Sequence, residues 1–313
     1  SVQRAIPLVS LDDFISGDDV TKQAFIKKLG SAFHDIGFVG VTNHGIAPSL
    51  IKDFYAASKT FFALPQEIKQ KYFFEGSGGQ KGYTPFGTEH AKGSEAADLK
   101  EFFQIGQETE NMTADQRNPT VEEVPTFVSL GIELFRAFEK TGSILLRAIA
   151  LHLGLEENFF QCTEEGISIL RTIYYPPITT EPKSAIRAEQ HEDINLITLL
   201  VGASAGGLQL LNQSGEWQDV VPENEEIVIN VGDMLQRLTN NYLKSTTHRV
   251  VNPPKEEWHQ PRLSIPFFLH PRPNTSLDCI PSCVTEENPK QYEPTTAIEY
   301  LHQRLREIGL LKQ

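Results

Sequence analysis

Three residue types at two places in the chain carry the first chemical signal. His191, Glu192 and Asp193 stand in a row just before an apolar, β-branched run. In extended backbone, residues i and i+2 point to one face. The imidazole of His191 and the carboxylate of Asp193 can therefore converge on one ion while Glu192 points away. His248 follows 55 residues after Asp193, at the head of another strand-like run. Two histidines and one carboxylate on one face of a metal leave its remaining positions open. That donor set suits non-haem iron(II), whose open positions take up a bidentate acid or substrate and dioxygen.

A second constellation lies further on. Arg262 and Ser264 share a face of a strand-like segment by the same alternation. A guanidinium fork beside a hydroxyl is suited to a carboxylate. An arginine directed into a core is costly unless it meets such an anion. Tyr175, at the end of a β-rich run and before Pro176-Pro177, can add a phenolic hydrogen bond to the same group. The histidines at 34, 44, 90, 152, 259, 270 and 302 have no partners at ligand spacing and read as structural or surface residues.

These residues need a scaffold, and the chain's texture predicts one in two parts. Up to about residue 165 it reads mainly as helix. A short strand is expected over 6–11. A helix over 20–36 has Asp18 or Asp19 as its cap and Gly37 at its end, and a strand follows over 38–42. Pro48 opens a helix to about residue 64, and Pro65 opens a shorter one. Residues 75–95 hold six glycines and no period, which predicts a long functional loop, here a flap over the metal. A strand over 99–105 precedes a long amphipathic helix over 124–153. From residue 167 short β-rich runs recur at 167–175, 196–201, 208–211, 217–221, 227–231, 248–251 and 262–269, separated by Gly and Pro turns. Such punctuation predicts a sandwich or double-sheet jelly roll. A helix over 296–310 closes the chain. The expectation is an α+β protein of one domain over 1–313. It has a helical N-terminal region (1–165), a jelly-roll core (166–295) and a C-terminal helix (296–313).

Composition narrows the function classes. Of 313 residues, 41 are acidic and 28 basic, a formal net charge of −13. An acidic surface repels phosphate backbones and anionic lipid, which argues against nucleic-acid and membrane partners and for a small-molecule substrate. The sequence holds no apolar run of membrane-spanning length, and residues 1–11 lack a secretory pattern. Cys162, Cys279 and Cys283 form no CxxC pair, consistent with reduced thiols in a cytoplasmic protein and with no zinc site. The oligomeric state is not legible.

The stretches HEDINLITLL, GDMLQRLTNNYLKSTTHRVVNP and RLSIPFFLHP resemble the isopenicillin N synthase-like family of the iron(II)/2-oxoglutarate-dependent oxygenase superfamily. IPLVSLDDF, FHDIGFVGVTNHGI, KGYTPFGTEHAKGSEAADLKEFF and YYPP extend the resemblance along the whole chain. It implies a double-stranded β-helix flanked by helices, with iron on His191, Asp193 and His248. It also implies that Arg262 and Ser264, helped by Tyr175, hold the distal carboxylate of 2-oxoglutarate. In the synthase that gives the family its name, the same three residues hold the carboxylate of a tripeptide, and no 2-oxoglutarate is used. The chain departs from that synthase at Gln80-Lys81-Gly82-Tyr83, and from plant members at Ile173.

The expected activity is hydroxylation, desaturation or ring closure of a small, amino-acid-derived molecule, with dioxygen and 2-oxoglutarate consumed and succinate and CO2 formed. Lys81, Tyr83, Phe103, Thr198, Val250 and Phe268 are the expected substrate contacts. Two alternatives are an iron oxidase without 2-oxoglutarate and a jelly-roll protein that binds a metal or ligand without turnover.

Overall fold

The computed structural model describes residues 4–75, 80–88, 100–181, 186–223 and 225–312. In chain order the strands are β1 (Leu8–Ser10), β2 (Phe38–Thr42), β3 (Gly82–Thr84), β4 (Glu101–Gly106), β5 (Ile169–Tyr175), β6 (Ala188–His191), β7 (Ile197–Val201), β8 (Leu208–Leu211), β9 (Trp217–Asp219), β10 (Ile227–Val231), β11 (His248–Val250), β12 (Arg262–Ser264) and β13 (Pro266–Leu269). The helices are α1 (Leu11–Ile15), α2 (Asp19–Asp35), α3 (Pro48–Phe62), α4 (Gln66–Gln70), α5 (Phe127–His152), α6 (Asp233–Leu238) and α7 (Ala297–Glu307).

Nine strands form a large sheet in the order β1-β2-β10-β7-β13-β5-β4-β3, with β12 also paired to β5. Four form a small sheet, β6-β11-β8-β9. The two pack together through Phe38 and Val228 of the large sheet and Leu208 and Leu210 of the small one. Together they make the jelly roll, and helices cover the outer face of the large sheet. There Phe135 and Phe138 of α5 lie 5.1 and 5.5 Å from the Phe267 ring. At Gly131 an added Cβ would strike Ile105, so this residue lets α5 approach β4 closely.

Alternation along the large sheet sorts its residues by function. On β10, Ile227, Ile229 and Val231 join the helix-side core, while Val228 joins the cluster between the sheets. On β5, Leu170 enters the helix-side core and the Thr172 hydroxyl bonds Ser58 of α3, at 3.0 Å. Ile169, Arg171, Ile173 and Tyr175 face the other way by the same period.

Several boundaries follow the sequence reading. Asp18 caps α2 by accepting from the Thr21 amide at 2.8 Å. Gly37 takes φ +81° after it, where a Cβ would strike the Lys244 carbonyl. Others differ. The expected strand over 6–11 is shorter, and Leu11 already starts α1. The run 262–269 is two strands, broken at Ile265, whose amide donates to Ser204 Oγ at 3.2 Å. The long helix begins at Phe127, after turns at 121–126, and α7 ends at Glu307. Helix α6 has too few turns for periodicity to reveal it. Of the loop expected over 75–95, residues 76–79 and 89–95 lie outside the described residues, as does His90.

Candidate iron centre and its cavity

Strands β6 and β11 pair antiparallel, and the register sets His191 directly opposite His248. Their ring centroids are 4.4 Å apart. Each ring is tethered by the same device. The Nδ1–H of His191 donates to the Glu189 carbonyl at 2.7 Å, and that of His248 to the Thr246 carbonyl at 3.0 Å. Fixing Nδ1 leaves Nε2 as the bare donor, the usual outer-sphere support of a metal-bound histidine. Phe38 packs edge-on against His248 at 5.5 Å.

Asp193 completes the group. Its Oδ2 accepts from Thr198 Oγ1 (2.6 Å, from β7) and Asn230 Nδ2 (2.8 Å, from β10). Oδ1 is left facing Nε2 of His191 at 3.5 Å and of His248 at 3.2 Å. The three ligand atoms lie within 4.8 Å of one another, a spacing that one ion can bridge. Burial alone would raise the Asp193 carboxyl. The two imidazoles and the Asn230 bond outweigh it and hold the group well below the usual carboxylate range. Charge, tautomer and direction all fit a divalent cation.

The second constellation also assembles. Arg262 stands opposite Tyr175, and Ser264 opposite Ile173, across the β12–β5 ladder. The Arg262 guanidinium carbon sits 5.3 Å from the centre of the Tyr175 ring. Its Nη2 donates to the Ser204 carbonyl, whose residue also bonds Tyr55 through its hydroxyl. Its Nη1 is buried with no hydrogen-bond partner among the described residues. A buried guanidinium N–H without an acceptor fits an absent anion.

A cavity of about 290 Å³ opens beside the three metal-ligand candidates. One wall is the inner face of the large sheet, including Gln104, Arg171 and Phe268; the other is α7, through Leu301, Arg304 and Leu305, with Ile308 just past its end. Arg171 lies 4.1 Å from the Phe102 ring centre and 5.1 Å from that of Phe268, and its Nε donates to Gln104 Oε1 at 2.9 Å. Helix α7 is tied in by a buried ion pair between Arg304 and Asp233, the residue whose amide donates to the Asp193 carbonyl at 2.7 Å.

Of the six expected substrate contacts, Phe268 lines this cavity. Tyr83 and Phe103 do not. Both are buried on the helix side, at 5.9 and 5.1 Å from the Phe61 ring. The reading of β4 slipped by one residue: Phe102 faces inward and Phe103 outward. The Thr198 hydroxyl is committed to Asp193. Val250 is half-buried and flanks Gly207. Lys81 donates to the Asp115 carbonyl at 2.7 Å and lies over Phe74, outside the cavity lining. The Glu192 carboxylate is not among the three converging ligand atoms; it accepts from Thr247 Oγ1 at 3.2 Å, and the residue is part of the cavity lining.

Sequence reasoning missed Arg171, Asn230 and the α7 wall, and placed His270 among structural residues. His270 lines the cavity, 4% exposed, with Nδ1 unpartnered among the described residues. Alternation back from Tyr175 was the available signal for Arg171. No local signal existed for Asn230 or α7.

A jelly roll on which two histidines and one carboxylate converge has the ligand set of the non-haem iron(II) oxygenase class. Residues 166–271 match the 2OG-Fe(II) oxygenase superfamily pattern, and residues 6–126 the pattern described as non-haem dioxygenase in morphine synthesis N-terminal. The 2-oxoglutarate-Fe(II) type oxidoreductase hxnY of Emericella nidulans is 31% identical over 307 residues, covering 93% of this chain and 87% of that protein. The proline hydroxylase buaE of Petromyces alliaceus is 31% identical, covering 94% and 96%. A solved 2OG-Fe(II) oxygenase family protein from Caulobacter crescentus is 40% identical, with a TM-score of 0.86 and coverage of 97% and 99%. A full-length Neurospora crassa protein, solved in complex with alpha-KG, is 32% identical, with a TM-score of 0.87 and coverage of 97% of both chains. The same protein was also solved with alpha-KG and thymine.

The chain belongs to the iron(II)/2-oxoglutarate-dependent oxygenase superfamily, in its isopenicillin N synthase-like branch. It is a dioxygenase that uses iron(II), 2-oxoglutarate and dioxygen to oxidise a small molecule.

Proposed function

We propose that His191 Nε2, Asp193 Oδ1 and His248 Nε2 hold the iron, and that Arg262, Ser264 and Tyr175 hold the distal carboxylate of 2-oxoglutarate. The observation that carries this is the double tether at the first site. Both Nδ1 atoms and Asp193 Oδ2 are occupied by protein partners, so only the three converging atoms remain as donors. When bound, the iron supplies the oxidising chemistry, with dioxygen consumed and 2-oxoglutarate released as succinate and CO2. The protein's own part is to hold, orient and shield. The Arg262 fork fixes the cosubstrate's far end. Leu301 and Leu305 of α7 and the following Ile308 keep the cavity apolar on one side.

The substrate we infer is a small, cyclic, polar molecule. The cavity is at the small end for ligand sites. Its sheet wall offers Arg171, Gln104 and the face of Phe268 to a polar, flat edge. Relatives of similar identity include a proline hydroxylase and a protein solved with thymine, two small rings with polar edges. An oxidase without 2-oxoglutarate is disfavoured, because the Neurospora crassa relative was solved with alpha-KG. We further infer one catalytic domain working in the cytoplasm without nucleic-acid or membrane partners. The unpaired Cys162, Cys279 and Cys283 and the net charge of −13 support this. No helix among the described residues is long and apolar enough to cross a membrane.

Succinate release is the test. Wild-type protein with iron(II), 2-oxoglutarate and small cyclic candidates, proline and thymine first, should release succinate in step with oxidised product. Product without succinate would contradict the reading.

A further inference from the structure

A second buried arginine, which no sequence motif marked, lies near Tyr175. Arg187 stands four residues before His191 and is 5% exposed. Its amide donates to Asn252 Oδ1 at 2.9 Å, and its Nη2 to the Gln260 carbonyl at 3.2 Å. The second bond holds the guanidinium, but its Nε is buried without a partner among the described residues. The Arg187 guanidinium carbon lies 5.7 Å from the Tyr175 ring centre, and that of Arg262 lies 5.3 Å from the same centre. Two buried cations thus share one phenol, and each has an orphaned N–H, Nε on Arg187 and Nη1 on Arg262. Among the described residues no ion pair joins either to a carboxylate. Burial depresses the proton affinity of Arg187, and Arg262 depresses it further, so the like charges feel each other.

Two desolvated like charges, offset on the Arg187 side only by the Glu257 carboxylate beyond ion-pair distance, are an unfavourable arrangement that an arriving anion reverses. Neutral partners would not do so. We propose that Arg187 is a second cation of the 2-oxoglutarate subsite, acting with Arg262 to select a keto acid that carries a distal carboxylate. This rests on the assignment of that carboxylate to Arg262. A keto acid lacking it would leave both cations unpaired, the situation in which polar sites discriminate most strongly.

The test compares two five-carbon keto acids, 2-oxoglutarate and 2-oxopentanoate, which lacks the distal carboxylate. Their Kd values are measured by calorimetry on the full chain loaded with manganese(II), so no turnover is needed. Loss of one charge-assisted hydrogen bond in Arg187→Gln should raise the Kd for 2-oxoglutarate about tenfold. The Kd for 2-oxopentanoate should stay within about twofold, since it makes no such bond. Arg187→Lys keeps the charge and loses the fork, and should give a several-fold rise confined to 2-oxoglutarate. It decides the matter alone if Arg187→Gln does not fold. Parallel weakening of both acids, or no change for either, would overturn the proposal in favour of a purely structural arginine. Arg262→Gln, measured alongside, separates the two levels. If it spares 2-oxoglutarate binding, the underlying assignment fails; if only the Arg187 variants spare it, this inference alone fails.

Discussion

The metal cradle and the wall of α7 border the same cavity, but they are held in place by different means. The cradle is redundantly fixed, in good part by short-range contacts. His191 and Asp193 are two residues apart, each imidazole is tethered by a carbonyl two residues before it, and Asp193 Oδ2 has two donors. The wall opposite comes from the far end of the chain. Arg304 of α7 is anchored through Asp233, 71 residues away in sequence. A cradle of this kind fixes the chemistry, whereas a wall of this kind can vary without disturbing it, which suits a superfamily that varies its substrates.

The largest contrast expected is at the cradle itself. Asp193→Ala removes a ligand and its charge and should abolish both iron binding and succinate formation. Glu192→Ala should leave iron affinity within about threefold, because that side chain bonds Thr247 instead of joining the cradle. Equal losses by metal titration would break the alternation argument. One step out, Asn230→Ala removes one of the two donors to Oδ2 and should weaken iron binding about 10- to 100-fold, the usual cost of losing such support. Iron titration against a chelator reads this directly.

A smaller effect is expected where the cavity is lined but nothing is ligated. His270 is buried, and burial holds its ring neutral down to about 4, against an ordinary 6.5. Between those values the unfolded chain takes up a proton that the folded one refuses. Stability of the metal-free protein should therefore fall as pH drops from about 6.5 to about 4, by about 3 kcal/mol from this group. Urea unfolding of His270→Gln should show a correspondingly flatter dependence; an identical slope would contradict the assignment. The smallest effect is expected outside the cavity. Lys81 is engaged by Asp115, so Lys81→Ala should change the substrate KM by less than about twofold and leave the ratio of succinate to product intact. A large rise in uncoupled succinate would restore Lys81 as a substrate contact.

The same contrast explains what was legible in the sequence. Period-two alternation places His191 with Asp193, and Arg262 with Ser264, without any tertiary knowledge. Alternation fixes parity only relative to a known face, however. On β4 nothing local distinguishes the inner face of Phe102 from the outer face of Phe103, so the aromatic was assigned to the wrong side. Arg171 was reachable by counting back from Tyr175 on β5. Asn230 meets Asp193 across 37 residues, through strand order in the large sheet. The return of α7 over the cavity depends on the buried Arg304–Asp233 pair and on Ala297, Leu301 and Leu305 entering the core. Neither leaves a periodic trace, because tertiary pairing of distant elements has no local signature.

The central claim is that three donor atoms, and not Glu192, hold one iron that chelates 2-oxoglutarate. Adding 2-oxoglutarate to the anaerobic iron(II) protein and recording its visible charge-transfer absorption tests this most directly. The account predicts a band in the wild type and in Glu192→Ala, and none in Asp193→Ala. A band that survives in Asp193→Ala, or that never forms in the wild type, would contradict it.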